Sequence, residues 1–397
     1  MFTEKEWLRY TRHLQLGQVG TQGQSKLKNS HILIVGCGGL GCPAALYLAA
    51  AGVGKITLVD SDVVDLTNLQ RQVAFSEEQV GQHKAIALQE RLQALNSDIC
   101  IVAITDDLTI ENADTLMLSV DLVLDCTDNF ATRYVINDVC FNKRLPWIMA
   151  SIAQFSGQCS LFVPDGACFR CVFPESPQDV LNCSEGGVLG VLPGMLSMMQ
   201  VNEALKYLIG LPTPLKNCLL LIDALDVTQH KITLTKNKTC VCCSDKALSA
   251  GMLNSVCADH YVRECDAGDR SEYDISVVDF ISLQQRAAVQ DTGGAQGEGV
   301  QIIDVRSDAE RQGFHLGGLH LPLTIIQNAN GHNIVKDDVV FISAGDCEVD
   351  ITLRLDLPCV VYCQSGKRSL EAVNLLRAMG LDNVKHLAGG VLAFLKA

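Results

Sequence analysis

Gly36-Cys37-Gly38-Gly39-Leu40-Gly41 lies between an apolar run and a segment with helical spacing. Glycines at such a junction let backbone N–H groups approach a phosphate, and the helix N-terminus favours its negative charge. Asp60 ends the next apolar run, where an acid can accept hydrogen bonds from ribose hydroxyls. Taken alone, these features predict NAD as readily as ATP. Asn68-Leu69-Gln70-Arg71-Gln72 and Lys84 follow, placing amides and two cations where a polyphosphate would need them. Hydride transfer needs no such set. Asp125-Cys126-Thr127-Asp128-Asn129 ends a further run, with Asp128 placed to hold Mg²⁺. Each residue also has a plainer reading: a strand-end Asp60, a solvated Arg71, a surface Lys84, or Asp128 as a helix N-cap. Their joint occurrence at strand ends favours the nucleotide, and ATP over NAD.

The cysteines form a second set. Cys168-x-x-Cys171 and Cys240-x-x-Cys243 have ligand spacing, and four thiolates suit tetrahedral Zn²⁺ in a closed structural site. Cys242, between two of them, is expected to be a bystander. Cys183, in Asn182-Cys183-Ser184-Glu185-Gly186-Gly187, sits in a polar, glycine-bearing stretch that suits an accessible thiol. Cys363-Gln364-Ser365-Gly366-Lys367-Arg368-Ser369 joins a strand pattern to a helical one. That geometry surrounds a cysteine with backbone N–H groups that lower its pKa and can hold a persulfide anion. Lys367 and Arg368 add positive charge for an anionic sulfur donor. A Cys-x5-Arg phosphatase loop is the rival, but Ser369 stands where that motif needs arginine.

These residues need elements to hold them. His31–Val35, Lys55–Asp60, Ile99–Ile104 and Asp121–Asp125 read as buried parallel strands. Pro43–Ala51 and Lys84–Leu95 have helical spacing, with Gly52 just past the end of the first. Strand–helix alternation implies a doubly wound α/β sheet over residues 1–245. Residues 246–272 read as a linker, and 273–397 as a smaller α/β unit with strands at Val300–Val305 and Cys359–Cys363. In that unit Asp291–Gly299 is a glycine-rich loop. The 397 residues carry a net charge of −14, which argues against a nucleic-acid footprint. Ile32–Gly54 is uncharged and long enough to span a bilayer, but its glycines and Pro43 read as strand, turn and helix. Met1–Arg12 is polar and mixed in charge, so no secretory leader is expected, and the 18 cysteines read as cytoplasmic thiols.

Gly-x-Gly-Gly-Leu-Gly, Asp60, Asn68–Gln72 and Asp125–Asn129 together resemble the MoeB/ThiF (HesA) family of adenylating enzymes, relatives of the ubiquitin-activating enzymes. The resemblance covers Met1 to Asp245 and implies a Rossmann-like adenylating domain using ATP and Mg²⁺. It implies that Gly36, Gly38, Gly39, Gly41, Asn68, Arg71 and Lys84 meet the phosphates, with Gln72 and Asn129 in the same motifs. Asp60 would meet the ribose and Asp128 the metal. It further implies a homodimer in which an N-terminal arginine, matched here by Arg12, crosses to the partner's ATP. The same cysteine pairs occur in that family, and Cys183 matches a cysteine able to link covalently to the activated carrier; an idle thiol there stays open. From Ile275 to Ala397 the chain resembles rhodanese domains, through the Cys363 loop and Asp304-Val305-Arg306 with Glu310. It departs at Phe314-His315-Leu316-Gly317-Gly318-Leu319, where rhodaneses usually read Gly-His-Ile-Pro-Gly-Ala; an effect on loop packing is expected.

Such a fusion resembles activators of small ubiquitin-like sulfur-carrier proteins that end in Gly-Gly. A MoaD-like carrier of molybdopterin synthesis is expected, with a ThiS-like carrier of thiamine synthesis as a close alternative. The sulfur donor, thiosulfate or a cysteine desulfurase, stays open. Two other classes remain: a conjugation activator working by thioester, which leaves Cys363 without purpose, and a NAD-binding redox module with an inactive sulfur domain.

Overall fold

The computed structural model describes residues 2–175, 187–245, 271–290, 299–329, 334–336, 339–344 and 347–396. The chain forms two compact units, Met1–Glu264 and Cys265–Ala397.

In the first unit the apolar runs become strands buried on both faces, as a parallel sheet covered by helices requires. β1 (His31–Val35) is buried along its whole length. It is followed by β2 (Lys55–Val59), β3 (Cys100–Ile104), β4 (Leu122–Asp125), β5 (Trp147–Ala153), β6 (Ser156–Phe162), β7 (Cys218–Asp223) and β8 (Thr228–Thr233). The sheet order is β3-β2-β1-β4-β5-β6-β7-β8. The first five are mutually parallel, and β5 to β8 run antiparallel. Strand alternation divides the core. Ile32 and Ile34 face a layer holding Leu48, Leu88 and Leu196, from the helices Gly41–Ala51, Lys84–Leu95 and Val191–Ile209. Leu33 and Val35 face Tyr134, Val135 and Val139 of the helix Phe130–Asn142. The doubly wound α/β fold is as expected, with each strand end within a residue or two of its expected place.

The antiparallel half is an addition. Its edge strand β8 reads Thr-Gln-His-Lys-Ile-Thr and is exposed throughout. Without an apolar period, it is defined only by its pairing with β7.

The topological switch lies between β1 and β4. From β1 the chain winds outward through β2 and β3; from β4 it winds the other way through β5. Val35 and Asp125 pair across the two strand ends. The loops after those strands therefore open side by side, the position at which doubly wound sheets hold ligands.

The second unit has a parallel five-stranded sheet in the order β11-β10-β15-β16-β9. Its strands are β9 (Asp274–Ile275), β10 (Gln301–Asp304), β11 (Leu319–His320), β15 (Cys359–Tyr362) and β16 (Val384–Leu387). A separate antiparallel sheet joins β12 (Ile334–Lys336), β13 (Val339–Ala344) and β14 (Cys347–Arg354). Central β15 is wholly buried and delivers Cys363 to the start of the helix Lys367–Ala378. Among the described residues, no helix is long and apolar enough to cross a membrane.

Candidate functional site

The glycine loop is shaped by two close approaches. Gly36 has φ +92°, and a Cβ there would lie 2.6 Å from the Cys126 carbonyl oxygen. A Cβ on Gly41 would overlap the Gly36 carbonyl oxygen at 1.8 Å. Both positions must be glycine for the loop to close against the β4 end. Gly38 instead looks into open space, with only Gln72 Nε2 near it at 3.6 Å from an added Cβ. Gln72 Oε1 is buried and has no hydrogen-bond partner among the described residues. An unsatisfied buried oxygen beside an open glycine cradle fits a polar occupant that brings donors, such as a nucleotide.

Asp60 closes the other side. Its Oδ2 accepts from Cys37 N–H at 2.6 Å and its Oδ1 from Asp62 N–H at 2.8 Å. Burial pushes its carboxyl up despite the nearby Lys84 ammonium. Lys84 is buried, not on the surface, and donates to Asp62 Oδ2 at 2.8 Å. Burial works against its charge, but Asp60, Asp62 and Asp128 outweigh it and raise its pKa. The structure thus brings Asp60, Lys84 and Asp128 into one electrostatic neighbourhood. Arg71 is half-buried and donates to Asn68 Oδ1 at 2.8 Å, so those two residues form one unit at the rim.

The N-cap of the helix Phe130–Asn142 is Asn129, whose Oδ1 accepts from Thr132 N–H at 2.8 Å. Asp128 is therefore not the cap; it stays exposed at the strand tip. Asp125 behind it is buried and binds Arg133 Nε at 2.7 Å and Thr127 Oγ1 at 2.6 Å. Arg133 also donates to the Thr127 carbonyl at 3.0 Å, and buried Gln200 donates to the Asp125 carbonyl at 2.8 Å. These contacts fix the loop that carries Asp128. Losing Arg133 would strand a buried carboxylate, at a cost of about 3–5 kcal/mol.

Cys168, Cys171, Cys240 and Cys243 converge, with all four sulfurs within 4.8 Å of one another. The contacts of 3.9, 3.5 and 3.3 Å bracket the spacing of about 3.8 Å that tetrahedral Zn–S bonds of about 2.3 Å produce. Backbone N–H groups of Asn237 and Cys242 point at Cys171 and Cys240 Sγ, as they do around metal-bound thiolates. Cys242 is buried in the same group, and its sulfur accepts from Asn137 Nδ2 at 3.4 Å. The knuckle is tied to the helix Phe130–Asn142 by Arg170, which donates to both Asp138 oxygens at 2.7–3.1 Å. Asn137 and Phe141, which meet the cluster, lie two to three turns from Asn129, so the cysteines stand apart from the Asp125–Asn129 loop.

In the second unit Cys363 is fully buried, and Gly366 N–H donates to its sulfur at 3.1 Å. Arg368 is bound through both Nη atoms to Glu310 at 2.6 and 2.9 Å. Burial opposes the Glu310 charge, but Arg368 prevails and draws its pKa down to about 2. The loop's added positive charge is thereby partly offset, a correction to the sequence-based expectation. Arg306 and Asp304 form a buried pair at 2.9 Å beneath the loop, and Arg306 reaches Gln364 Oε1 at 3.2 Å. The departing Phe314–Leu319 segment packs on Tyr362, whose hydroxyl donates to the Gly317 carbonyl at 2.9 Å.

A model of the ThiF family matches residues 10–244. The chain belongs to the ThiF family. A rhodanese-like domain model matches residues 290–397 of this ThiF-family chain. Adenylyltransferase and sulfurtransferase MOCS3 of Sus scrofa is 36% identical over 99% of this chain and 86% of its own length. The Thermus thermophilus sulfur carrier protein adenylyltransferase is 43% identical over 62% of this chain and 93% of its own. The crystal structure of E. coli MccB with MccA-N7isoASN superposes with a TM-score of 0.54 at 25% identity, over 60% of this chain and 75% of that one.

In this ThiF-family chain Cys183 and the loop 291–298 lie outside the described residues, as does 246–270 of the expected linker. Arg12 is exposed on the short helix Thr11–Leu14, near Gln15 Oε1 at 3.4 Å. Sequence reasoning missed Arg133, Gln200, Arg170 and Asp138. Arg133 left one trace, standing one helical turn after the Asn129 cap. Gln200 left none, because its reach to Asp125 depends on how the helix Val191–Ile209 crosses the sheet. If the four-cysteine cluster is a closed zinc site, protein purified without chelators retains one zinc per chain by elemental analysis. Stripping that zinc lowers the melting temperature before exchange chemistry is lost. Zinc-free, fully stable protein would remove the site.

Proposed function

We propose that the chain uses ATP to activate the C-terminal glycine carboxylate of a small ubiquitin-like sulfur carrier, then replaces it with a thiocarboxylate. The observation that carries this reading is the joining, in one chain, of a glycine cradle flanked by Asp60, Lys84 and Arg71 to a persulfide-type cysteine loop. Relatives named adenylyltransferase and sulfurtransferase, which align over nearly the whole chain, support it.

In this reading residues 1–245 adenylate, and residues 273–397 carry sulfur. Gly36, Gly38, Gly39 and Gly41 receive the phosphates, with Gln72 and Asn129 in the walls, and Asp60 takes the ribose. The carrier's extended Gly-Gly tail enters the crevice, and its carboxylate attacks the α-phosphorus. Pyrophosphate leaves while Arg71, Asn68 and Lys84 offset charge on the phosphate oxygens. Asp128 is the residue to hold Mg²⁺, which would neutralise further phosphate charge. Arg12 from a second copy would complete the pocket, making the working form a homodimer. The terminal sulfur of a Cys363 persulfide then attacks the acyl-adenylate carbonyl, expelling AMP and forming an acyl disulfide. A thiol, from Cys183 or an external reductant, attacks Cys363 Sγ; a disulfide forms and the carrier thiocarboxylate is released.

The carrier proposed is MoaD-like, with a ThiS-like protein as the competitor. Intact-mass spectrometry of each, after incubation with enzyme, ATP, Mg²⁺ and thiosulfate, decides between them. Exchange of one oxygen for sulfur on the MoaD-like carrier is expected. Exchange on the ThiS-like protein alone would reverse the preference, and exchange on neither would overturn the function.

A further inference from the structure

Beneath the Cys363 loop, three polar residues that the chemistry above does not use stand in line. Ser369 Oγ donates to the Gly366 carbonyl at 2.9 Å and lies 3.2 Å from His386 Nδ1. His386 Nε2 lies 2.7 Å from Asp274 Oδ1, an ion-pair distance at which the ring N–H is not aligned for a hydrogen bond. A serine, a histidine and an aspartate suggest a hydrolase triad, but the Ser369 hydroxyl is turned to the Gly366 carbonyl of its own helix turn and not outward to a substrate. What this line touches is Gly366. Gly366 has φ +99° and opens the helix Lys367–Ala378. A Cβ there would come within 2.9 Å of Gly389 N, so the residue is wedged between two loops. Its N–H is the group aimed at the Cys363 sulfur, and its carbonyl is the group held by Ser369.

We propose that Asp274, His386 and Ser369 are positioning residues that lock Gly366 so its N–H stays on the Cys363 sulfur. The carboxylate of Asp274 keeps a proton on His386 Nε2, leaving the Nδ1 lone pair facing the Ser369 hydroxyl. The one hydroxyl proton is then shared between two acceptors, closer to the Gly366 carbonyl at 2.9 Å than to Nδ1 at 3.2 Å, and the shared bond keeps the hydroxyl on that side. With both sides of Gly366 fixed, its amide stabilises the thiolate before attack and the persulfide after it. The proposal rests on Cys363 being the sulfur-carrying thiol.

The full-length protein tests it, with thiosulfate as donor and cyanide as acceptor. The Cys363 thiolate takes the outer sulfur of thiosulfate, its S–S bond breaks, and sulfite leaves with the electron pair. Cyanide removes that sulfur as thiocyanate and returns the thiolate. Thiocyanate formation is one readout; the pH profile of iodoacetamide alkylation at Cys363, followed by peptide mass spectrometry, is the other. Ser369→Ala and His386→Leu should each slow transfer about tenfold and move the alkylation curve about one pH unit upward, as loss of a fixed donor to a charged sulfur predicts. His386→Asn, whose Oδ1 replaces Nδ1, should restore most of both. Wild-type behaviour of Ser369→Ala, or a His386→Asn as impaired as His386→Leu, would overturn the proposal. If those variants fail to fold, Asp274→Ala, at a partly exposed strand end, decides by the same two readouts. Thiocyanate formation by Cys363→Ala would sink the role of Cys363 itself, a separate failure from a silent Ser369→Ala.

Discussion

Full-length protein carrying Cys363→Ala is expected to catalyse carrier-dependent ATP–pyrophosphate exchange at the wild-type rate while forming no thiocarboxylate. Sulfur transfer needs the atom that makes and breaks the S–S bond, so its loss should be roughly a thousandfold or more. Exchange needs only the glycine cradle and its charges. The substitution removes one sulfur from a buried position in the second unit, where Val361, Ala372 and Val373 line the same core. Alanine fills most of that space, so the unit stays folded. The measurement is radiolabelled pyrophosphate exchange beside intact-mass analysis of the carrier. Loss of exchange in a variant with an unchanged melting curve would show that the two half-reactions are not divided as proposed.

Asp128→Ala should do the reverse: exchange falls about 10²–10³-fold, the usual cost of one group that stabilises transition-state charge. Persulfide loading of Cys363 from thiosulfate should persist. Stability should change little, because Asn129 caps the helix and Asp128 does not. Lys84→Ala should lose exchange to a similar degree for the opposite reason. Its ammonium is the cation set among Asp60, Asp62 and Asp128. Removing it deletes a phosphate partner and leaves three carboxylates to repel the triphosphate. Normal exchange by Asp128→Ala would end the metal assignment, and normal exchange by Lys84→Ala would end its phosphate role.

The α/β alternation, the glycine loop, both cysteine pairs and the Cys363 loop were legible in the sequence, because each is local. An apolar run such as His31–Val35 can be buried only in a few ways, and Gly41 is required by the local turn that sets it on the Gly36 carbonyl, although the atom that crowds Gly36 belongs to distant Cys126. Spacing within a motif survives folding unchanged. Tertiary structure decided what depends on residues far apart in the chain. Whether Asp128 or Asn129 capped the helix turned on one residue of register. Lys84 became a buried partner of three carboxylates because β2, β4 and its helix meet at one edge. Arg368 lost part of its positive field to Glu310, 58 residues away in sequence. Arg133 and Gln200, which hold the Asp125 loop from two different helices, and His386, which meets Ser369 where the helix Lys367–Ala378 packs on β16, are pairings set by packing. No periodicity records them, since hydrogen bonds between distant segments leave no repeat in the chain that makes them.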